Sequence, residues 1–179
     1  MITIGSVKED LDIEKRISIT PEIAKKFTSL GISINIEEKY AEHLIINEEE
    51  YIKNGANTNI SKKEVFEKSD IILKVANISE EDVSFIKNKS ILIGQFDPIL
   101  NKDKINKLIA KDIKIFSLNL LPRITRAQSM DVLSSQANLA GYKAVIESFS
   151  KFEKAIPMMM TAAGTISPAK VLVIGAGVA

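Results

Sequence analysis

Apolar and polar positions follow two alternating periods along the first two thirds of the chain. Short β-branched runs, with apolar residues at every second position, give way to polar segments whose apolar residues recur every three or four positions. That is the pattern of strands feeding amphipathic helices. Residues 2–7 read as a first strand. Thr20-Pro21-Glu22 then supplies an N-cap, a proline at the first helical position and an acid in the first turn. The helix runs through Ile23, Ala24 and Phe27 and stops at Gly31, a favourable residue just past a helix end. Residues 32–36 alternate strictly, as a half-buried strand does. The rhythm repeats in three more pairs: a helix over 61–68 before a strand over 70–75, 79–88 before 90–96, and 101–111 before 113–118. Such alternation predicts an α/β, Rossmann-like, doubly wound parallel sheet. Ligands of such sheets sit off the carboxyl ends of the strands, which here are Lys74, Gln95-Phe96-Asp97 and Asn119.

The pattern then changes. Residues 127–149 form one long helical stretch, with Met130, Leu133, Ala137 and Ala140 at helical spacing. A hinge follows over 154–165, containing Pro157-Met158-Met159-Met160, where flexible methionines suit packing at a domain junction. A new buried strand over 170–174 leads into Gly175-Ala176-Gly177-Val178-Ala179. The predicted organisation is an N-terminal Rossmann-like domain over 1–125, a long connecting helix and hinge over 126–165, and over 166–179 the truncated start of a second Rossmann domain.

Composition narrows the chemistry. Hydrophobic residues make up 45% and charged residues 26% of the 179, an ordinary globular α/β balance. A net charge of +1 gives no general pull toward nucleic acid. The absence of cysteine removes thiolate metal sites, disulfides and cysteine nucleophiles. The single histidine, His43, has no partner at metal-ligand spacing, so no metal is expected. No secretory leader is read at the N-terminus, and no apolar run reaches the ~20 residues a membrane helix needs, so the segment reads as soluble.

Two segments carry candidate chemistry. A strand followed by G-x-G-x-x is how a dinucleotide-binding βαβ unit opens. Gly175 allows the tight turn and Gly177 lets the backbone approach a pyrophosphate, with Ala176, Val178 and Ala179 completing the run. The helix N-terminus that would bind the phosphates lies beyond residue 179, so a simple strand-ending turn stays open as the alternative. The second segment is Arg123-Ile124-Thr125-Arg126-Ala127-Gln128-Ser129-Met130-Asp131, continuing to Ser134, Ser135 and Gln136. If the helix has begun there, Gln128, Asp131 and Ser135 share a face. The group suits a neutral amide such as a nicotinamide carboxamide, which both donates and accepts. Arginines in ordinary surface ion pairs are the alternative.

The stretch from Arg123 to Ile146, including Asn138-Leu139-Ala140-Gly141-Tyr142-Lys143-Ala144-Val145, resembles the signature of transhydrogenase alpha subunits. Met159-Met160-Thr161-Ala162-Ala163-Gly164-Thr165 and residues 170–179 continue it in order. Lys8-Glu9 through Lys15-Arg16-Ile17-Ser18-Ile19-Thr20-Pro21 matches the wider family shared with alanine dehydrogenase. The resemblance implies the NAD(H)-binding component of a proton-translocating NAD(P) transhydrogenase, an oxidoreductase that passes hydride from NADH to NADP⁺ held on a separate component. Residues matching Arg123, Gln128 and Asp131 carry the loop beside the nicotinamide, with Ile124, Thr125 and Ser134 alongside; Gly175 to Ala179 hold the pyrophosphate. A membrane component, an NADP-binding component and a homodimeric state are further implications, as is a cytoplasmic location, peripheral to the inner membrane through partner subunits. The protein's task in such chemistry is to align two rings and exclude water, with no acid or base required; the sequence, poor in histidine and cysteine, agrees.

Alanine dehydrogenase is the competing enzyme. Arg16 and Lys74 look like two of its three substrate-handling residues, but Ile93-Gly94-Gln95-Phe96-Asp97 offers no histidine for the third, and keto-acid chemistry then lacks its proton donor. Arg16 and Lys74 are accordingly read as structural. Outside enzymes, the alternative is a non-catalytic fragment that folds its first domain and binds nucleotide negligibly.

Overall fold

The computed structural model describes residues 1–179 as two compact units, Met1–Pro122 and Arg123–Ala179. The first holds a six-stranded parallel sheet formed by β1 (Thr3–Ser6), β2 (Ser33–Ile36), β3 (Ala56–Asn57), β4 (Ile71–Leu73), β5 (Ile91–Gly94) and β6 (Lys114–Ser117). Their spatial order is β3-β2-β1-β4-β5-β6, the order of a doubly wound Rossmann sheet.

Five helices connect the strands: α1 (Pro21–Ser29), α2 (Glu48–Lys53), α3 (Lys62–Lys68), α4 (Glu80–Phe85) and α5 (Lys102–Ala110). Their starts are encoded locally. The side chains of Thr20, Ser61 and Ser79 each accept from a backbone N–H three residues on. Ser61 and Glu64 close a reciprocal capping box. α2 and β3 are elements that the pattern of 37–60 does not announce. α2 shows one buried residue, Tyr51, and β3 is two residues long, too short for either period to register.

The strand register divides the core in two. Val65, Phe66, Val83 and Leu108 from α3, α4 and α5 pack on Ile72 and Leu92 on one face of the sheet. Ala24 and Tyr51 from α1 and α2 pack on Ile4, Ile34 and Ile36 on the other. Gly5 is obligatory at its place on β1, because a Cβ there would collide with the Ser69 side chain.

The second unit contains α6 (Val132–Lys151), preceded by a 3₁₀ stretch over Thr125–Met130, and a two-stranded antiparallel hairpin of β7 (Met159–Thr161) and β8 (Gly164–Ile166). This corrects three expectations. The long helix starts five residues later than 127, because Asp131 caps it. The hinge at 154–165 contains the hairpin, which Gly164 closes at φ +124, and Ala169 N–H ties back to Ile156 O. Met158, Met159 and Met160 are exposed there. Residues 170–174 are not in a strand: no neighbouring segment supplies a ladder, and Val171 to Ile174 are exposed.

Candidate functional site

In a sheet of this order the crevice opens where the winding reverses, between β1 and β4. Glu9, in the loop after β1, meets Lys74, which follows β4. Lys74 Nζ donates to Glu9 Oε2 at 2.6 Å and to Lys8 O at 3.2 Å. The second carboxylate oxygen accepts from Val75 N–H at 2.7 Å, and Ala76 N–H reaches Oε2 at 3.3 Å. Both side chains are buried, so the carboxylate's negative charge is met by one ammonium and two amides. Around them lies a cavity of about 370 Å³, lined also by Lys8, Asp10, Glu37, Lys62 and Asp82. Lys8 pairs with Glu37 at 3.3 Å and Lys62 with Asp82 at 2.7 Å. Every lysine lining this cavity therefore has a carboxylate of the same chain.

A second polar chain braces the crevice. Ser6 Oγ donates to Leu73 O at 2.9 Å, so Tyr40 OH donates to Ser6 Oγ at 2.7 Å, and accepts from Ser18 and Ile19 N–H at 2.8 and 3.3 Å. Burial raises the Tyr40 phenol above its ordinary pKa, against the lowering effect of these hydrogen bonds; it stays a neutral donor. This ties the ends of β1 and β4 to the segment that carries Arg16. Arg16 itself forks onto Glu14, Nε at 2.8 Å and the terminal nitrogen at 2.6 Å. The guanidinium hydrogen bond holds the Glu14 carboxyl below its usual range. Lys74 and Arg16 are thus each matched by a carboxylate of the same chain. His43 is exposed and shares a 2.8 Å hydrogen bond with Lys15 O. The first connection shows no phosphate cradle: α1 begins at Pro21, well after β1 ends at Ser6.

In the second unit Asp131 is the organising residue. Its Oδ1 accepts from Ser134 N–H at 2.9 Å and its Oδ2 from Ser134 Oγ at 2.6 Å. The Ser134 side chain, then its backbone, hold the carboxyl below its ordinary pKa, with the positive charge of Arg123 adding to the effect. Asp131 and Ser134 are therefore neighbours at the head of α6, with the charge of Arg123 acting from the approach to it. Ile124, Thr125 and Gln128 are exposed beside them on the 3₁₀ stretch and its approach. The conditional face shared by Gln128, Asp131 and Ser135 does not form as a helix face. Asp131 is the cap, Gln128 precedes it, and Ser135 N–H makes the first helical bond to Asp131 O at 3.2 Å.

Gly175 adopts φ +102, a conformation that L side chains rarely adopt, and neither Gly175 nor Gly177 has a neighbour where a Cβ would stand. Ala176, Val178 and Ala179 are exposed around them. The run reaches α6 at Gly141, where a Cβ would collide with the Ala179 carbonyl carbon. Gly141 lies ten residues past Asp131, or about 15 Å along the helix axis. The two predicted halves of the site thus share one helix, at separate levels.

Glu9 and Tyr40 are the residues that sequence reasoning missed. The signal for Glu9 is present as a charged pair directly after the first strand, opposite Lys74. It becomes readable only once β1 and β4 are known to be neighbours.

This fold and these segments define a class before they define a protein. Residues 5–140 match the family model for the alanine dehydrogenase/PNT N-terminal domain, and residues 144–179 match that for the alanine dehydrogenase/PNT C-terminal domain; the chain belongs to the alanine dehydrogenase/PNT family. Within it, the chain is similar to the first part of NAD(P) transhydrogenase subunit alpha of Rickettsia prowazekii, at 41% identity over 98% of this chain and 47% of the relative. The corresponding piece of that subunit from Rhodospirillum rubrum is 38% identical over the same shares. The crystal structure of transhydrogenase from Sinorhizobium meliloti superposes with a TM-score of 0.89 at 41% identity, covering 98% of this chain and 52% of that one. An L-alanine dehydrogenase shares the fold, with a TM-score of 0.70 at 17% identity, over 78% of this chain and 38% of the other. The chain spans about half the length of the transhydrogenase relatives it matches. The relatives support a transhydrogenase component, and their names, which mark one piece of one subunit, imply further components. No helix is long and apolar enough to cross a membrane.

Proposed function

We propose that this chain is the N-terminal part of the NAD(H)-handling component of a proton-translocating transhydrogenase. The observation that carries the reading is the Asp131 carboxylate fixed by Ser134 at the head of α6, with Arg123 and Gln128 on the segment leading into it, followed in the same unit by a glycine turn open to close backbone approach. The nucleotide supplies the hydride. Asp131, held ionised and fixed by two hydrogen bonds, accepts from the carboxamide NH₂. Gln128 offers the complementary donor and acceptor, and Arg123 sets the local charge. Ile124 and Thr125 flank the ring, and Gly175 to Ala179 receive the pyrophosphate. These groups orient the reduced ring and leave the transfer itself to proximity.

On this reading NAD(H) sits on this component and NADP(H) on a partner, and a membrane component couples transfer to proton movement. The complete protein is a homodimer at the cytoplasmic face of the inner membrane. The segment boundaries follow as 1–125, 126–165 and 166–179. Transfer on this reading also requires the component that holds NADP(H), so this component does not turn over by itself.

Titration with NADH, followed by nucleotide fluorescence, tests this. A chimera completed with the C-terminal half of the Rickettsia prowazekii relative binds NADH and, with the NADP-binding and membrane components, reduces NADP⁺. A folded chimera that leaves NADH unbound would sink the reading.

A further inference from the structure

α2 ends at Lys53 and β3 starts at Ala56, and the joint between them is Asn54-Gly55. Each of the two residues has a structural reason to be there. Asn54 is the C-cap of α2, and its Nδ2 donates to Glu50 O at 2.8 Å, meeting one of the carbonyls that a helix end leaves open. Gly55 turns the chain toward the sheet at φ +83, the left-handed conformation that strains a side chain, and a Cβ there would stand 3.3 Å from Thr28 Cγ2.

The order Asn-Gly also carries a reaction of its own. With no Cβ on the following residue, a glycine nitrogen has free access to the asparagine side-chain carbonyl. Every other asparagine of the chain precedes a residue that bears a side chain. The folded joint holds the reaction back. Gly55 N–H donates to Ile52 O at 2.9 Å, and Asn54 O accepts from Thr28 Oγ1 at 2.9 Å. The Asn54 ψ of 11° sets the Gly55 nitrogen beside the Asn54 backbone nitrogen and away from Cβ, so ring closure waits for the joint to open. Little opposes that opening. α2 has six residues and buries one, Tyr51. β3 lies at the edge of the sheet and pairs at two positions, Ala56 with Ile34 and Asn57 with Asn35.

We propose that Asn54 is a self-modifying site: opening of the α2–β3 joint frees the Gly55 nitrogen to convert Asn54 to isoaspartate and aspartate. The nitrogen gives its proton to solvent base and bonds to Asn54 Cγ. The Cγ–Nδ2 bond breaks, Nδ2 takes up a proton and leaves as ammonia, and a succinimide ring remains. Water then adds to one ring carbonyl and opens it: at the backbone carbonyl to isoaspartate, at Cγ to aspartate. No electrons are exchanged, and water is the one co-reactant. Neither product refits the joint. Aspartate sets a carboxylate against Glu50 O, where Nδ2 had donated, and isoaspartate adds one carbon to the main chain between α2 and β3. Both place a negative charge at the C-terminal end of α2, where the helix dipole opposes it. The site therefore records how long a chain has spent with this joint open, whatever nucleotide the protein handles.

Peptide mapping by mass spectrometry of the full 179-residue chain, held at mildly alkaline pH in heavy-oxygen water, follows the conversion. Hydrogen exchange follows release of the same Gly55 N–H. Asn54 converts before every other asparagine, and unfolding in urea speeds its conversion by at least about tenfold. Thr28→Val nearly keeps the side chain's shape and removes its hydrogen bond to Asn54 O. It raises both the conversion rate and the Gly55 exchange rate by about fivefold. An intact Asn54 while another asparagine converts overturns the proposal, as does conversion no faster in urea. A Thr28→Val chain that converts at the parent's rate, or in which conversion and exchange change by different factors, overturns gating by the joint.

Discussion

Lys74 and Glu9 stand 2.6 Å apart between the end of β4 and the loop after β1, with 5% and 2% of their side chains exposed. Two charges so placed have left water, and the hydrogen bonds from Val75 and Ala76 N–H finish the satisfaction of the carboxylate. Removing one partner of such a pair strands the other, whereas replacing both by apolar groups is close to neutral. Glu9→Ala is therefore expected to lower unfolding free energy by about 3 kcal/mol. The double variant Glu9→Leu, Lys74→Met should regain most of that. Urea denaturation of the three proteins measures it; a loss below about 1 kcal/mol for Glu9→Ala would mean that Lys74 finds another partner.

A carboxylate at the surface gives the clearest pH signature. Glu64 accepts from Lys68 Nζ at 2.7 Å and from Ser61 Oγ at 2.9 Å. These, with the Ser61 backbone, lower its pKa from 4.5 to about 2. A folded-state pKa below the unfolded one means that the cap's contribution is present above the unfolded value, near 4.5. It is lost as pH falls through about 2. Carboxyl carbon shifts in an acid titration should show Glu64 ionised well after other exposed glutamates have protonated. Lys68→Ala, which removes the largest cause, should move the midpoint back toward 4.5. A Glu64 midpoint near 4.5 in the parent would show that the box does not hold in solution.

Much of this fold is legible in the sequence because each signal is local. Thr20-Pro21-Glu22 caps α1, Ser61 with Glu64 caps α3, and the alternation of 32–36 puts Ile34 and Ile36 in the core. Where sequence and structure part, a non-local or competing interaction decides the outcome. Residues 170–174 have the composition of a strand, but a ladder needs a neighbour that the sequence of one segment cannot supply. Spacing alone puts Asp131 on a helical face with Gln128. Its bonds to Ser134 instead make it the cap, since a carboxylate meeting free N–H groups at a helix start outweighs continued periodicity. Glu9 is invisible as a partner of Lys74 for the same reason that strand order is invisible: the two are 65 residues apart.

Gly94 ends β5 against the backbone of the crevice, where a Cβ would meet Lys74 O and the Phe96 ring. Neither can yield easily: the carbonyl belongs to the chain that carries the buried lysine, and Phe96 is 1% exposed. Gly94→Ala is expected to cost about 1–3 kcal/mol by overpacking. Gly177→Ala, which meets open space, should leave stability within about 0.5 kcal/mol. Thermal unfolding of the two variants side by side checks the contrast, and equal melting temperatures would contradict it.

Asp131 and Gln128 bear on the proposed function most directly. If Asp131 orients the carboxamide of a reduced nicotinamide, its charge is used to hold the ring at transfer distance more than to attract the nucleotide, most of whose contacts lie elsewhere. Asparagine retains the capping geometry, being as good at an N-cap as aspartate, so Asp131→Asn isolates the charge from the fold of α6. In the completed chimera, Asp131→Asn and Gln128→Ala should each slow hydride transfer by about tenfold or more while weakening NADH binding by less than about threefold. Arg123→Ala should slow transfer too, with a larger loss of affinity, since it removes a positive charge beside an anionic ligand. Stopped-flow transfer rates and equilibrium NADH titrations on the same preparations separate the two quantities. Unchanged transfer in both Asp131→Asn and Gln128→Ala would move the nicotinamide away from the head of α6.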